Sequence, residues 1–311
     1  MKAGILFSGQ GAQYSKMGAD FYQNSQAFRQ EFTTLSTYWG KNLVEICQNQ
    51  HHELAKTINV QPAISALGLG IFDQLRLDLP QLEIVGMLGL SLGEYTALIA
   101  AGALDHWKGI KLLAARAAYM QTDADQTPGA MAAVLHADQQ EVANICQAAA
   151  TENEFVGIAN YNTDQQVVIG GHYQAVKRAV AMLKAAGIRR VIFLKVNGAF
   201  HTPLFAATSL KLKKILAGIN PHPWQIPVIS NTISQPFTPQ NLQEILARQV
   251  VESTHFAACL RYLKKNFQPD ILIEVGPGRT LSRFALQLEP DLPAITIGKW
   301  EDYQTFLTKL K

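Results

Sequence analysis

The sequence predicts an α/β protein whose main sheet is largely parallel and covered by helices on both faces. Short apolar segments such as 84–88 and 271–275 have the length and composition of buried strands, and helix-like segments follow them. Strands that alternate with helices are typical of parallel sheets. The 311 residues are 48% hydrophobic and 16% charged, which argues against disorder and allows one large domain plus a smaller one.

Turn and capping residues set the predicted element boundaries. Pro62 occupies a favoured first helical position, Gly102 is suited to end a helix, and Asp105 to cap the next one. The predicted helices outside the central region are 62–77, 94–101, 105–121, 203–217, 240–250, 254–265, 280–288 and 301–310. The predicted strands there are 3–8, 84–88, 227–230, 271–275 and 294–297.

The central region follows a different pattern. Its segments read β-α-β-β-α-β, which is the ferredoxin-like order. The predicted strands are 129–136, 155–161, 166–170 and 189–196, and the predicted helices are 138–150 and 173–186. We therefore expect a small ferredoxin-like α+β subdomain at 124–196, inserted into a large α/β domain formed by 1–123 and 197–311.

Composition excludes several classes of protein. The net charge is only +3, and no run of Lys and Arg with interleaved aromatics indicates nucleic-acid binding. No apolar run reaches the roughly 20 residues of a membrane span. The three cysteines are too far apart for a metal site or a disulfide framework, which favours reduced thiols in a cytoplasmic protein. We expect no metal and no permanently bound cofactor, and a monomer is the default expectation.

A candidate nucleophile lies between an apolar strand and a helix. Gly89-x-Ser91-x-Gly93 has the spacing of a nucleophile elbow, in which the glycines permit a sharp turn that exposes the serine. The first backbone N–H groups of the helix would then face a developing oxyanion. The pattern also occurs by chance in strand–helix turns, but this context favours a catalytic serine.

A serine hydroxyl needs a base, and the chain has eight histidines. Most of them occupy polar loops or helix faces. His201 instead lies in a turn after the last strand of the insertion, where a loop can face a cleft between domains. It is therefore the best candidate for the base.

Arg116 lies in an apolar, alanine-rich segment. Either it points to water from a helix that is buried on its other face, or it is buried and its charge must be paired. In the second case the small neighbours leave room for a ligand carboxylate, which arginine binds in bidentate geometry.

Taken together, these residues resemble the malonyl-CoA:acyl carrier protein transacylase family and the related acyltransferase domains of fatty acid and polyketide synthases. The similarity covers essentially the whole chain. The matching segments are Phe7-Ser8-Gly9-Gln10-Gly11-Ala12-Gln13, Gln61-Pro62-Ala63, Gly89-Leu90-Ser91-Leu92-Gly93-Glu94-Tyr95, Arg116, Asn160-Tyr161-Asn162, Gly198-Ala199-Phe200-His201-Thr202, Arg248-Gln249-Val250 and Glu274-Val275-Gly276-Pro277-Gly278.

The resemblance implies a hydrolase-like fold with a ferredoxin-like insertion, and a ping-pong reaction. Ser91 would attack the thioester of malonyl-CoA, and His201 would act as its base. Arg116 would bind the malonyl carboxylate.

Further site residues are also implied by the resemblance. The backbone N–H groups of Gln10 and Leu92 would form the oxyanion hole. The main-chain carbonyl of Gln249 would orient the histidine, and Phe200 would fill the space that a methyl-branched acyl group needs.

The sequence departs from the family at two positions. The family usually has histidine before the nucleophile where this chain has Leu90, and proline in its first loop where this chain has Ser8. Neither position carries the chemistry of the elbow, so the expected activity is unchanged.

The predicted function is therefore transfer of malonyl from coenzyme A to the phosphopantetheine thiol of acyl carrier protein. A serine thioester hydrolase, either proofreading or lipase-like, would share Ser91 and His201, but a hydrolase of neutral acyl groups would have no use for Arg116. A free-standing acyltransferase serving a polyketide synthase and a non-enzymatic binding protein are further alternatives. Scattered cations of the insertion would suit an acidic carrier protein or a coenzyme A phosphate, or would simply be solvated: Lys177, Arg178, Lys184, Arg189, Arg190 and Lys195.

Overall fold

The computed structural model describes residues 1–310, which form nine strands and thirteen α-helices. Lys311, the last residue of the predicted range 197–311, lies outside the described residues. The strands are β1 (Lys2–Phe7), β2 (Glu83–Gly89), β3 (Gly129–Leu135), β4 (Val156–Thr163), β5 (Gln166–His172), β6 (Val191–Phe193), β7 (Val228–Ile229), β8 (Ile271–Val275) and β9 (Ala294–Ile297). The helices are α1 (Ala19–Asn24), α2 (Gln26–Trp39), α3 (Leu43–Gln48), α4 (Thr57–Asp78), α5 (Leu92–Ala100), α6 (His106–Gln126), α7 (Gln139–Ala149), α8 (Tyr173–Ala185), α9 (Ala206–Leu216), α10 (Leu242–Arg248), α11 (Phe256–Phe267), α12 (Thr280–Leu288) and α13 (Trp300–Leu310).

The larger sheet is parallel and has the strand order β7-β2-β1-β8-β9. Successive residues of a strand point to opposite faces. Ile5 and Phe7 of β1 therefore join one buried cluster with α4 and α5, whereas Leu6 joins another with α11 and α12. Both faces are thus covered by helices, as the apolar, non-alternating strands predict.

The smaller sheet is antiparallel and has the order β4-β5-β3-β6. Val142 and Cys146 of α7 and Val176 and Leu183 of α8 pack in one buried cluster with residues of β3, β4 and β5. The predicted fold class, a helix-covered parallel sheet with a ferredoxin-like α+β insertion, is confirmed.

Several predicted boundaries are wrong. Helix α4 begins at Thr57, so Pro62 is its sixth residue rather than its first, and it costs the helix one hydrogen bond to a preceding carbonyl. Strand β6 has three residues instead of the predicted eight. Asp105 precedes α6, but its side chain pairs with Lys108 and His222 instead of capping the helix.

Two other expectations concern the three cysteines and membrane-spanning segments. Cys47, Cys146 and Cys259 are buried in separate parts of the fold, and none forms a disulfide. Within residues 1–310, no helix combines the length and the apolar composition that a membrane crossing requires.

Candidate active site

Ser91 lies at the carboxyl end of β2 and directly precedes α5, which is the geometry of a nucleophile elbow. Its backbone has φ 56° and ψ −103°, a region that non-glycine residues rarely adopt. A Cβ at Gly89 would come within 2.0 Å of the Gly93 carbonyl carbon, and one at Gly93 within 2.3 Å of the Phe7 carbonyl oxygen. The two glycines of the motif are therefore required for close approach of three backbone segments.

Gly93→Ala is expected to destabilise the protein by about 1–3 kcal/mol or more, the usual cost of overpacking, because backbone atoms cannot move aside as a side chain could. Urea denaturation measures this difference in the free energy of unfolding. Gly218→Ala is the matched control, since its nearest atom would be 3.7 Å away. Equal stability of the two variants would contradict the proposed crowding.

Asn231 holds the elbow from the end of β7, 140 residues away in sequence. Its Oδ1 accepts the Ser91 N–H at 2.8 Å, and its Nδ2 donates to the Gly89 carbonyl at 2.8 Å. The side chain is fully buried. Asn231 therefore satisfies the Ser91 N–H in the strained turn, and this amide is not free to donate into the cleft.

His201 is brought to Ser91 by the segment that leaves the small sheet. Its Nε2 lies 2.8 Å from Ser91 Oγ, and its Nδ1 lies 2.7 Å from the main-chain carbonyl of Gln249. A carbonyl oxygen only accepts, so Nδ1 carries the proton and Nε2 is left as the acceptor for the serine hydroxyl. Burial, and then the positive charge of Arg116, lower the pKa of His201 to about 4. The imidazole is therefore neutral and competent as a base at pH 7.

Arg116 of α6 is fully buried, so of its two alternatives the solvent-facing one is wrong. Its Nη2 donates to Ser91 Oγ at 2.9 Å and to Gln249 Oε1 at 2.8 Å, and its Nη1 donates to Gln61 Oε1 at 2.6 Å. Among residues 1–310, no carboxylate forms a salt bridge with it. A buried guanidinium held only by neutral acceptors beside the nucleophile is suited to bind an anionic group of a ligand.

Gln10 and Leu92 lie where the carboxyl ends of β1 and β2 meet. Both line the cleft that contains Ser91, and neither backbone N–H has a hydrogen-bond partner in the described chain. The side chain of Gln10 is held by two hydrogen bonds of its own: its Nε2 donates to Thr57 and its Oε1 accepts from Gln61. Two backbone amides without a partner in the described chain, at the cleft that contains Ser91, are the kind of donors that an oxyanion hole requires.

The cleft has a volume of about 460 Å³ and lies between the two sheets. Phe200, which is 8% exposed, forms part of its wall and packs against Phe205. Leu90 and Asn160 also line it. Leu90 packs on the cluster under α11 and α12, so at this position the chain has an apolar wall instead of a polar side chain.

Of the seven predicted site residues, five line one cleft: Gln10, Ser91, Leu92, Phe200 and His201. The other two, Arg116 and Gln249, are buried beside it and hydrogen-bond to Ser91 or His201. The structure adds three residues that sequence reasoning did not assign: Gln61, Glu94 and Asn231. Gln61 and Glu94 lie within segments that match the family, but those segments alone do not say which atoms they contact. Asn231 lies in no segment that the sequence singles out. Its role follows only from the pairing of β7 with β2.

The chain is similar to known proteins over nearly its whole length. Residues 5–289 match the acyl transferase domain family. The malonyl CoA-acyl carrier protein transacylase of Synechocystis is 34% identical over 305 residues, which cover 97% of this chain and 99% of that protein.

Two solved structures are also similar. The malonyl-CoA:acyl carrier protein transacylase of Xanthomonas oryzae has a TM-score of 0.94 at 32% identity, covering 99% of this chain and 98% of that one. A malonyl-transacylase in complex with a type II PKS acyl-carrier protein has a TM-score of 0.93 at 29% identity, covering 99% of this chain and 100% of that one. This chain belongs to the acyl transferase domain family.

Proposed function

We propose that the protein transfers a malonyl group from malonyl-CoA to the phosphopantetheine thiol of an acyl carrier protein. One observation carries the proposal: Ser91 Oγ lies 2.8 Å from His201 Nε2 and 2.9 Å from Arg116 Nη2. A nucleophile, its base and a cation for a carboxylate therefore converge on a single atom. The names of the relatives support the same activity.

In the first half-reaction, His201 Nε2 takes the Ser91 proton as Oγ attacks the thioester carbonyl of malonyl-CoA. The resulting oxyanion accepts hydrogen bonds from the N–H groups of Gln10 and Leu92. When the tetrahedral intermediate collapses, the C–S bond breaks and His201 returns its proton to the coenzyme A sulfur. The product is a malonyl-Ser91 ester.

The second half-reaction uses the same groups in reverse. His201 takes the proton of the carrier thiol, whose sulfur attacks the ester carbonyl. The oxyanion forms at the same two amides, and the C–O bond then breaks as His201 returns the proton to Ser91. A thioester replaces a thioester overall, so the chemistry needs no metal or resident cofactor.

Two further roles and the division into domains are part of this proposal. Hydrogen bonding from His201 Nδ1 to the Gln249 carbonyl orients the imidazole in place of a triad acid. Phe200 narrows the cleft beside the nucleophile, which would exclude methyl-branched acyl groups. The large domain comprises 1–123 and 197–311, and 124–196 form the small subdomain that closes the cleft.

We further propose that the protein acts as a cytoplasmic monomer on a carrier of fatty acid synthesis. The buried, unpaired cysteines favour a reducing compartment. A carrier of polyketide synthesis is the second candidate, because one similar structure is a malonyl-transacylase bound to a type II PKS acyl-carrier protein.

Transfer is expected to exceed hydrolysis when purified protein is given malonyl-CoA and holo-carrier protein. The measurement compares malonyl-carrier, by mass spectrometry, with free malonate at matched times. Apo-carrier protein, which lacks the acceptor thiol, is the control and should receive no malonyl. Release of free malonate as the main product would instead identify a thioester hydrolase.

A further inference from the structure

Glu94 is a fully buried carboxylate in the first turn of α5, three residues after the nucleophile. The mechanism above gives it no part. Its Oε1 accepts the Asn231 backbone N–H at 2.5 Å, and its Oε2 accepts a hydrogen bond from Gln249 Nε2. Both carboxylate oxygens are therefore occupied by donors, which is the condition for keeping a charge in the interior.

The Gln249 side chain connects Glu94 to Arg116. Its Nε2 donates to Glu94 and, at 2.9 Å, to the Ser91 carbonyl, while its Oε1 accepts from Arg116 Nη2 at 2.8 Å. The two ends of an amide are nearly equal in shape but opposite in hydrogen-bonding character. A flipped Gln249 would aim its NH₂ group at the guanidinium and leave Arg116 with one acceptor fewer.

We propose that Glu94 is a positioning residue that fixes the Gln249 amide with its oxygen toward Arg116, and thereby keeps the guanidinium poised for the carboxylate of the acyl group. This inference rests on the proposed function. A direct Glu–Arg pair would occupy the guanidinium and compete with the substrate. Glu94 instead acts through one neutral amide, so the cation is held but stays available.

Electrostatics supports this arrangement. Burial lowers the pKa of the Arg116 guanidinium, and the nearby charge of Glu94 acts in the opposite direction. Burial also raises the pKa of Glu94 to about 7, against the donors from Gln249 and Asn231. The carboxylate form is needed at both oxygens, so the experiment is carried out at pH 8, where it predominates.

Glu94→Gln is the decisive variant because it keeps the shape and removes one acceptor. A glutamine offers a single oxygen to two donors, the Asn231 N–H and the Gln249 amide. The Asn231 donor is fixed by the backbone and keeps the oxygen, so the new NH₂ group faces Gln249 Nε2 and favours a flipped Gln249 amide, against the hydrogen bond that Nε2 makes to the Ser91 carbonyl. Arg116 then faces a donor, and the site loses its preference for an anionic acyl group.

The experiment measures kcat/KM for malonyl-CoA and for acetyl-CoA with wild type and E94Q. The malonyl value is expected to fall by about 10- to 100-fold, the range for hydrogen bonds to charged groups, while the acetyl value stays within about 3-fold. Glu274→Gln is the matched control. Glu274 is also fully buried with a donor at each carboxylate oxygen, here the backbone N–H groups of Leu281 and Ser282, but it has no hydrogen bond with Gln249 or Arg116.

A merely structural role predicts that E94Q and E274Q both lower Tm and leave the malonyl-to-acetyl ratio unchanged, and that result would overturn the inference. If E94Q does not fold, Gln249→Leu tests the same connection from its other end, since it removes the amide but keeps the main-chain carbonyl for His201. Its malonyl preference should also be lost, and retention would overturn the inference. Absence of any malonyl adduct on the wild-type protein would instead contradict the proposed function, which is a separate outcome from failure of the inference about Glu94.

Discussion

Ser91→Ala is expected to take up no malonyl group and to abolish transfer to the carrier thiol. Ser91 Oγ is the atom that would form the covalent bond to the acyl group, and alanine offers neither a nucleophile nor a proton for His201. Removing the serine of a Ser–His protease lowers kcat by roughly 10⁶-fold, and a loss of that order is expected here. The oxyanion donors of Gln10 and Leu92 stay in place, but they have no tetrahedral intermediate to stabilise.

Intact-mass spectrometry after incubation with malonyl-CoA measures the adduct, and carrier acylation measures transfer. Ser209→Ala is the matched control, because Ser209 is also partly buried and hydrogen-bonded, to the Ala247 carbonyl at 2.7 Å, but lies on α9 away from the cleft. It should acylate like wild type. A full malonyl adduct on Ser91→Ala would show that another side chain is the nucleophile.

The elbow could be predicted from sequence because its determinants are local. Apolar strand, Gly-x-Ser-x-Gly and helix are contiguous, and the two glycines are needed for backbone contacts within that turn and with β1. The fold class was predictable for a similar reason, since the order of apolar strands and helices specifies a covered parallel sheet. Strands β8 and β9 and helix α12 begin and end where the sequence predicts, because glycine or proline turns delimit them.

The boundaries that were wrong depend on tertiary contacts. Proline is favoured at a first helical position, but α4 extends five residues further toward the N-terminus because Thr57 and Val60 are buried there. The predicted strand 189–196 is shorter because β6 pairs with β3 over only three residues. No local signal distinguishes these outcomes.

The hydrogen-bond partners of the site residues could not be predicted from the sequence. Arg116 is held by Gln61 and Gln249, which are 55 and 133 residues away, and the elbow is held by Asn231. Such contacts arise only when five separate segments meet near the carboxyl ends of the strands. The roles of Gln10, Leu92, Gln249 and Phe200 came from family resemblance, and the geometry described here is the physical basis for proposing them.

Arg116→Ala is expected to remove the preference for malonyl over acetyl. The carboxylate of a malonyl group lies one methylene beyond the carbonyl that Ser91 attacks, so its binding group must lie close to Oγ, and Arg116 Nη2 is 2.9 Å from it. A buried charge-assisted pair is stronger than a neutral hydrogen bond, and a site built for such a pair rejects a ligand that lacks the charge. We expect kcat/KM for malonyl-CoA to fall roughly 10²- to 10⁴-fold, with the acetyl value unchanged or higher.

Two further variants test whether the malonyl preference depends on the charge and planar shape of the Arg116 side chain or on the loss of any arginine. Arg116→Lys keeps the charge but not the planar fork, so it should restore only part of the malonyl preference. Arg178→Ala removes an arginine of α8 that pairs with Glu154 and does not line the cleft, so it should leave the preference intact. An Arg116→Ala protein that folds and still prefers malonyl would place the carboxylate elsewhere in the cleft. A serine nucleophile with a histidine base occurs in esterases and transferases alike. This measurement therefore tests directly whether Arg116 binds the carboxylate of the acyl group.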